Sequence, residues 1–221
     1  MGQFGTRNMI CGVDEAGKGP VIGPMVVAAV LVDNAKQIQD AGFKDSKLLT
    51  IQKRIELFDL IKQNYRYEVE IIKPEEIDKY RRKNQLNLLN RKAFEKVIIK
   101  LNPNVAYVDA ADVNEERFGM EIKANLTNEN NTDVISMHKA DSKIPVVAAA
   151  SIIAKQTREL EIEKLKLQIG DFGSGYPSDE RTIKFLKSYF HDNSKWPSGT
   201  RKSWKTIERI RPVKKLSDFG D

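Results

Sequence analysis

A single cysteine, Cys11, stands in the 221 residues, so an internal disulfide is excluded and a reducing compartment is the natural setting. Histidine is nearly as scarce, with only His138 and His191, and no His–Cys cluster of the kind zinc prefers occurs. No apolar run is long enough to span a bilayer. The opening MGQFGTRNMI lacks the charged, apolar and small-residue sections of a signal peptide, so the expectation is a cytoplasmic protein without a membrane partner. Gly17-Lys18-Gly19-Pro20 is not a P-loop, because no Ser or Thr follows the lysine. Gly17, Gly19 and Gly23 also miss the last spacing of a dinucleotide fingerprint, and a strand-like run follows them. Internal repeats and long linkers are absent too.

What is present is ordinary in amount and informative in placement. Hydrophobic residues make up 40% and charged residues 31%, enough for one domain with a substantial core. The net charge of +6 favours polyanionic partners but decides little by itself. Its distribution says more. Lysine and arginine crowd the stretch from Arg181 to Lys215, opposed only by Asp192 and Glu208. A solvated face explains most such runs. Here Tyr189, Phe190, Trp196 and Trp204 are interleaved, a mixture that nucleic-acid surfaces use.

Three strand-like segments open the chain: NMICGVDEA, VIGPMVVAAVLV and the alternating YRYEVEII. A helix from about Ile51 to Gln63, with Thr50 as N-cap, separates the last two. Pro74 opens a short helix, and Asn87 to Lys100 reads as a longer amphipathic one. NVAYVDA and TDVISMH are short buried strands, with a segment of helical character containing a glycine between them. A long helix then runs from about Ile144 to Gly170. After the loop GDFGSGYPSDE, Ser178 is expected to cap a helix ending near Phe190, and a final helix is expected to start near Gly199. The pattern predicts an α/β protein: a mixed five-stranded sheet flanked by helices, with a helical C-terminal portion beside it. The expected division is residues 1–170 as the catalytic domain and 171–221 as an extension packed on it, carrying a basic substrate-binding surface.

The informative acids follow apolar strands. Asp14 and Glu15 come after ICGV, Asp109 after AYV, and Asp141 after VISMHKA. An acid there is costly to desolvate unless it is paired, hydrogen-bonded or bound to a cation. Converging at one sheet edge, four carboxylates would raise one another's pKa values, and a divalent metal removes that conflict. An oxygen-only donor set favours Mg²⁺ or Mn²⁺. Two such ions roughly 4 Å apart suit phosphodiester hydrolysis. Taken singly, each acid is better explained as a helix or turn cap, by roughly two to one, and Asp141 is a good N-cap candidate as well as a ligand. The adjacency of Asp14 and Glu15 adds a condition: neighbours on a regular strand face opposite ways, so the strand must end there for both to reach one site. In the loop that follows, two glycines give either a simple tight turn or a close backbone approach to a sugar 2′-hydroxyl.

The motifs GVDEAGKGPVIGPMVVAA, DSKLL, YVDA, HKADSKIPVVAAASIIAK and GSGYPSDERT occur in order from about Met9 to Thr182. Together they resemble ribonuclease HII, and the C-terminal RKSWKT is similar to its archaeal and eukaryotic branch. The resemblance implies an RNase H-like fold and a metal-dependent endonuclease cutting the RNA strand of RNA–DNA hybrids. It also implies incision 5′ of single ribonucleotides in duplex DNA, leaving 5′-phosphate and 3′-hydroxyl ends.

By the same resemblance Asp14, Glu15, Asp109 and Asp141 are the catalytic, metal-binding acids. Gly17, Lys18 and Gly19 read the 2′-hydroxyl at the junction, mainly through backbone, with lysine standing where arginine is commoner. Tyr176 stacks beneath the deoxyribose that follows the ribonucleotide. Ser46 and Lys47, next to Asp45, contact backbone phosphates, and Lys143 stabilises charge near the site. Cys11, His138 and His191 are read as structural or surface residues. The tail Leu216-Ser217-Asp218-Phe219 is loosely similar to a sliding-clamp motif but lacks its leading Gln and second aromatic; a weak clamp contact and a monomer are the expectations. The competing readings are another nuclease or integrase of the same fold group, a type 3 ribonuclease H, and a non-catalytic hybrid-binding module.

Overall fold

A computed structural model describes residues 9–33, 38, 43, 49–127 and 131–212. Five strands form one sheet: β1 (Ile10–Ala16), β2 (Met25–Val32), β3 (Arg66–Ile72), β4 (Val105–Asp109) and β5 (Asp133–Met137), in the order β3-β2-β1-β4-β5. β1, β2 and β3 are antiparallel neighbours, whereas β4 and β5 run parallel to β1. The mixed sheet expected from the sequence is therefore present.

Helices of the described residues include α1 (Ile51–Asn64), α2 (Pro74–Arg81), α3 (Leu86–Leu101), α4 (Glu115–Asn125), α5 (Ala140–Lys143), α6 (Pro145–Ile169), α7 (Glu180–Asn193) and α8 (Lys205–Ile210). Thr50 caps α1 by accepting from the Lys53 N–H, as its position predicted. Gly170, with positive φ, ends the long α6. Two boundaries differ from expectation. Asp179, not Ser178, caps α7, accepting from Arg181 N–H. The last helix starts at Lys205 rather than near Gly199, because the backbone between them is engaged elsewhere: Thr200 bridges to Ile22, and Arg201 N–H donates to Val21 O.

Each face of the sheet carries its own core. One packs Cys11, Val13, Val27 and Ala29 against α3 and α4 through Phe94, Val97, Phe118 and Ile122. Phe172, Leu186, Trp204 and Ile207 belong to this same core, so the C-terminal segments close it rather than sit apart. The opposite face packs Val26, Ala28 and Val30 against Phe58 and Ile61 of α1 and the small apolar residues that begin α6. β2 is buried throughout, which is why its sequence is continuously apolar instead of alternating.

Gly12 controls how closely α6 approaches β1. A Cβ there would stand 2.3 Å from the carbonyl carbon of Val146 and 2.4 Å from Val147 N. Glycine alone lets the first turn of α6 lie directly on the strand that carries the first acids.

Candidate active site

The parallel strands set the geometry. β1 and β4 are in register as far as Val13 opposite Val108, so Asp14 and Asp109 are the next residues at neighbouring strand ends. β5 ends beside Asp109, opposite Met137, and leads through a two-residue turn into α5, where Asp141 is buried. The N–H of Ala140 donates to Asp109 Oδ1 at 2.9 Å, tying the turn that carries Asp141 to the end of β4. Three strand ends thus bring their acids to one edge of the sheet, where open α/β sheets commonly place ligands.

Asp14 and Glu15 meet the adjacency problem differently from the expected strand end. β1 continues to pair with β2 through Ala16 opposite Val26. Only its pairing with β4 stops, after Val13. The strand is finished on one edge and intact on the other. Asp14 accordingly turns toward α6, where Ser151 hydrogen-bonds its carboxylate, and Glu15 turns toward α3, where Asn90 Nδ2 donates to its Oε2. Both still feel Asp109, whose charge raises the pKa of each.

Burial is the larger influence. It pushes Asp14 up to about 8, with Asp109 and Glu15 adding repulsion and the Ser151 hydroxyl and Glu15 N–H opposing it. That N–H lies 2.6 Å from Asp14 Oδ1. Glu15 is raised for the same first reason, with Lys18 and Asn90 favouring its charged form. Lys18 Nζ lies 3.9 Å from Glu15 Oε1 and also donates to Ala111 O, bridging from the loop after β1 to the loop after β4.

Among the described residues, no three His, Cys, Asp or Glu side chains stand close enough together to hold a metal ion. The chemistry of the donors nevertheless fits a hard divalent cation. They are oxygen-only, Asp14 and Asp141 are buried, and burial together with the charge of Asp109 raises Asp14 and Glu15, a cost that a cation would relieve.

Beside the acids, the glycine loop is held from behind. Gly17 takes φ 84°, and a Cβ on it would stand 2.5 Å from Arg158 Nε and 2.8 Å from Pro24 O. Arg201, fully buried, donates to three carbonyls: Nη2 to Gly17 O at 2.6 Å, Nη1 to Lys18 O at 3.0 Å and Nε to Gly23 O at 2.9 Å. Trp204 Nε1 donates to Gly19 O at 3.1 Å. Burial and the charge of Arg158 lower Arg201 to about 9. Tyr176 reaches the same place from the loop before α7. Gly175 O accepts from Val21 and Ile22 N–H, and the Tyr176 ring lies beside Gly19 with the Arg158 guanidinium 5.4 Å from its centroid.

The remaining predicted residues separate. Lys143 is exposed and donates to His138 O at 3.2 Å. His138 is exposed, and its N–H and Nε2 contact Glu115 and Val113 O. Cys11 is core, its thiol pushed far up by burial. Asp45, Ser46 and Lys47, and the tail Leu216–Phe219, lie outside the described residues. One expectation is overturned: Arg201 and Trp204, counted in the basic and aromatic run as nucleic-acid surface, are buried structural members of the glycine loop. Asn90, Ser151 and Arg158 were not anticipated at all.

A family model described as ribonuclease HII matches residues 11–207. The chain belongs to the ribonuclease HII family. With membership comes the enzyme class, a type 2 ribonuclease H, a metal-dependent nuclease. A ribonuclease HII of Thermococcus onnurineus is 49% identical over 206 residues, covering 91% of this chain and 89% of the relative. The crystal structure of ribonuclease H2 from Pyrococcus horikoshii OT3 superposes with a TM-score of 0.84 at 43% identity, covering 91% of this chain and 96% of that one. The PCNA:RNase HII complex from Archaeoglobus fulgidus matches with a TM-score of 0.82 at 43% identity, covering 96% and 100%. No helix of the described residues is long and apolar enough to cross a membrane.

Proposed function

We propose that this chain hydrolyses the RNA strand of RNA–DNA hybrids and incises duplex DNA 5′ of single embedded ribonucleotides, leaving 5′-phosphate and 3′-hydroxyl ends. One observation carries the reading: acids from three strand ends stand beside a rigidly held glycine loop and an accessible tyrosine. Asp14, Glu15, Asp109 and Asp141 would hold two Mg²⁺ or Mn²⁺ ions, which when bound supply an activated water and stabilise the leaving oxygen. Ser151, Asn90 and the Ala140 N–H orient Asp14, Glu15 and Asp109 for that task.

Gly17, Lys18 and Gly19 present their backbone to the sugar at the junction, where a 2′-hydroxyl distinguishes RNA from DNA. Arg201 and Trp204 fix the loop, and Tyr176 stacks on the next sugar with Arg158 beneath it. Lys143 supplies positive charge at the edge of the site. Residues 1–170 form the catalytic domain, and 171–221 are the extension that completes it. The protein acts as a cytoplasmic monomer. The clamp complex of the Archaeoglobus relative supports a sliding-clamp contact here through the C-terminal tail.

The test uses end-labelled duplex DNA containing one ribonucleotide, incubated with Mg²⁺, Mn²⁺ or EDTA. Metal-dependent incision 5′ of the ribonucleotide is expected. Cleavage of long hybrids only would remove the junction-reading role of Gly17–Gly19 and Tyr176. Tight hybrid binding with no cutting in any metal would favour the binding-module reading.

A further inference from the structure

A polar cavity of about 560 Å³ opens where the link between α2 and α3 meets the segment before α8. Its walls include Arg81, Arg82, Asn87, Lys202, Ser203 and Lys205. Four of these are cations, and among the described residues Glu208 is the one acid lining it. The walls are built rather than incidental. Asp78, buried, accepts from Lys202 N–H at 2.8 Å, Ser203 N–H at 2.9 Å and Ser203 Oγ–H at 2.6 Å, pinning the C-terminal segment to α2. Arg81 donates through Nε to Ser203 O at 3.2 Å and stacks over Trp204 at 4.4 Å.

The cavity is also coupled to the acids and the glycine loop. Trp204 holds Gly19 O, and Asn87 stands one helical turn before Asn90, the partner of Glu15. Asn87 itself donates to Asp112 in the loop after β4 at 3.1 Å.

We propose that this cavity is a phosphate subsite: it takes a backbone phosphate of the duplex flanking the cleaved junction. The inference rests on the nucleic-acid substrate proposed above. Lysine and arginine side chains lining one polar cavity suit a phosphate. The exposed Arg82, Lys202 and Lys205 can approach it without disturbing the anchored walls.

The test measures binding to a ribonucleotide-containing duplex in EDTA as a function of salt, for wild type and for Arg82→Gln/Lys205→Gln. A control pair, Lys100→Gln/Lys123→Gln, removes equal charge outside the cavity, where both lysines pair with surface acids, Glu68 on β3 and Asp133 on β5. Each lost phosphate contact should lower the slope of log affinity against log salt by about 1. The pocket pair should therefore lower it by about 1 to 2 while the control pair leaves it nearly unchanged. Trimming the duplex from one end should erase the difference between wild type and the pocket pair. Equal slopes for the two pairs, or a difference that survives trimming at both ends, would overturn the subsite. A wild type that neither binds nor cuts the duplex would instead overturn the functional reading on which the subsite rests.

Discussion

The carboxylate end of the sheet and the glycine loop beside it are adjacent but stabilised in opposite ways. At the sheet end, burial and mutual repulsion raise Asp14 and Glu15, and the few donors present offset only part of that cost. In the loop, a buried arginine spends Nε, Nη1 and Nη2 on three carbonyls and stacks on Trp204. One region is left electrostatically unfinished in a way a cation would complete. The other is finished by the protein itself, so that the backbone it presents stays rigid. Sites that need charge tolerate local instability, whereas sites that need shape do not.

Three substitutions break this contrast, from the largest effect to the smallest. Asp109→Asn removes the acid whose charge reaches both Asp14 and Glu15, and it should lower single-turnover cleavage by roughly 10³-fold while leaving hybrid binding nearly unchanged. Equal loss of binding and cleavage would place Asp109 in the fold rather than the chemistry. Arg201→Met strands three loop carbonyls and should cost about 3 kcal/mol of stability, a Tm fall on the order of 10 °C, measured by thermal denaturation. Its residual cleavage should shift from single ribonucleotides toward long hybrids, because the loop and not the acids is disturbed.

Asp14→Asn acts in the opposite direction on stability. In the fold Asp14 keeps its proton up to about pH 8, against an ordinary value of 3.8. The folded protein therefore binds more protons than the unfolded chain between those values, and stability falls as pH rises through that window. In EDTA at pH 8 the variant should be more stable than wild type, and the two should converge near pH 4. Wild-type stability that rises across that range would contradict the assignment.

Much of this architecture was legible in the sequence, for reasons that can be named. An acid after a short apolar strand stands out because it should not be desolvated, and Asp14, Asp109 and Asp141 all follow that rule. Strand β2 was readable from its unbroken apolar run, and α1 from Thr50. The supporting residues were not readable. Asn90 and Ser151 lie on helices far along the chain from Glu15 and Asp14, and nothing local marks them among their neighbours. Arg201 lies among basic residues that are exposed, and sequence alone cannot separate a buried clamp from a solvated charge. The register that places Asp14 beside Asp109 is a tertiary property of β1 and β4. Neither strand states it alone.

The central claim is that these acids together hold divalent metal, and Mn²⁺ titration followed by electron paramagnetic resonance tests it most directly. Wild type should bind Mn²⁺, and Asp109→Asn should bind it at least about tenfold more weakly, with the fold intact by circular dichroism. An unchanged Mn²⁺ affinity in a folded Asp109→Asn variant would contradict the account.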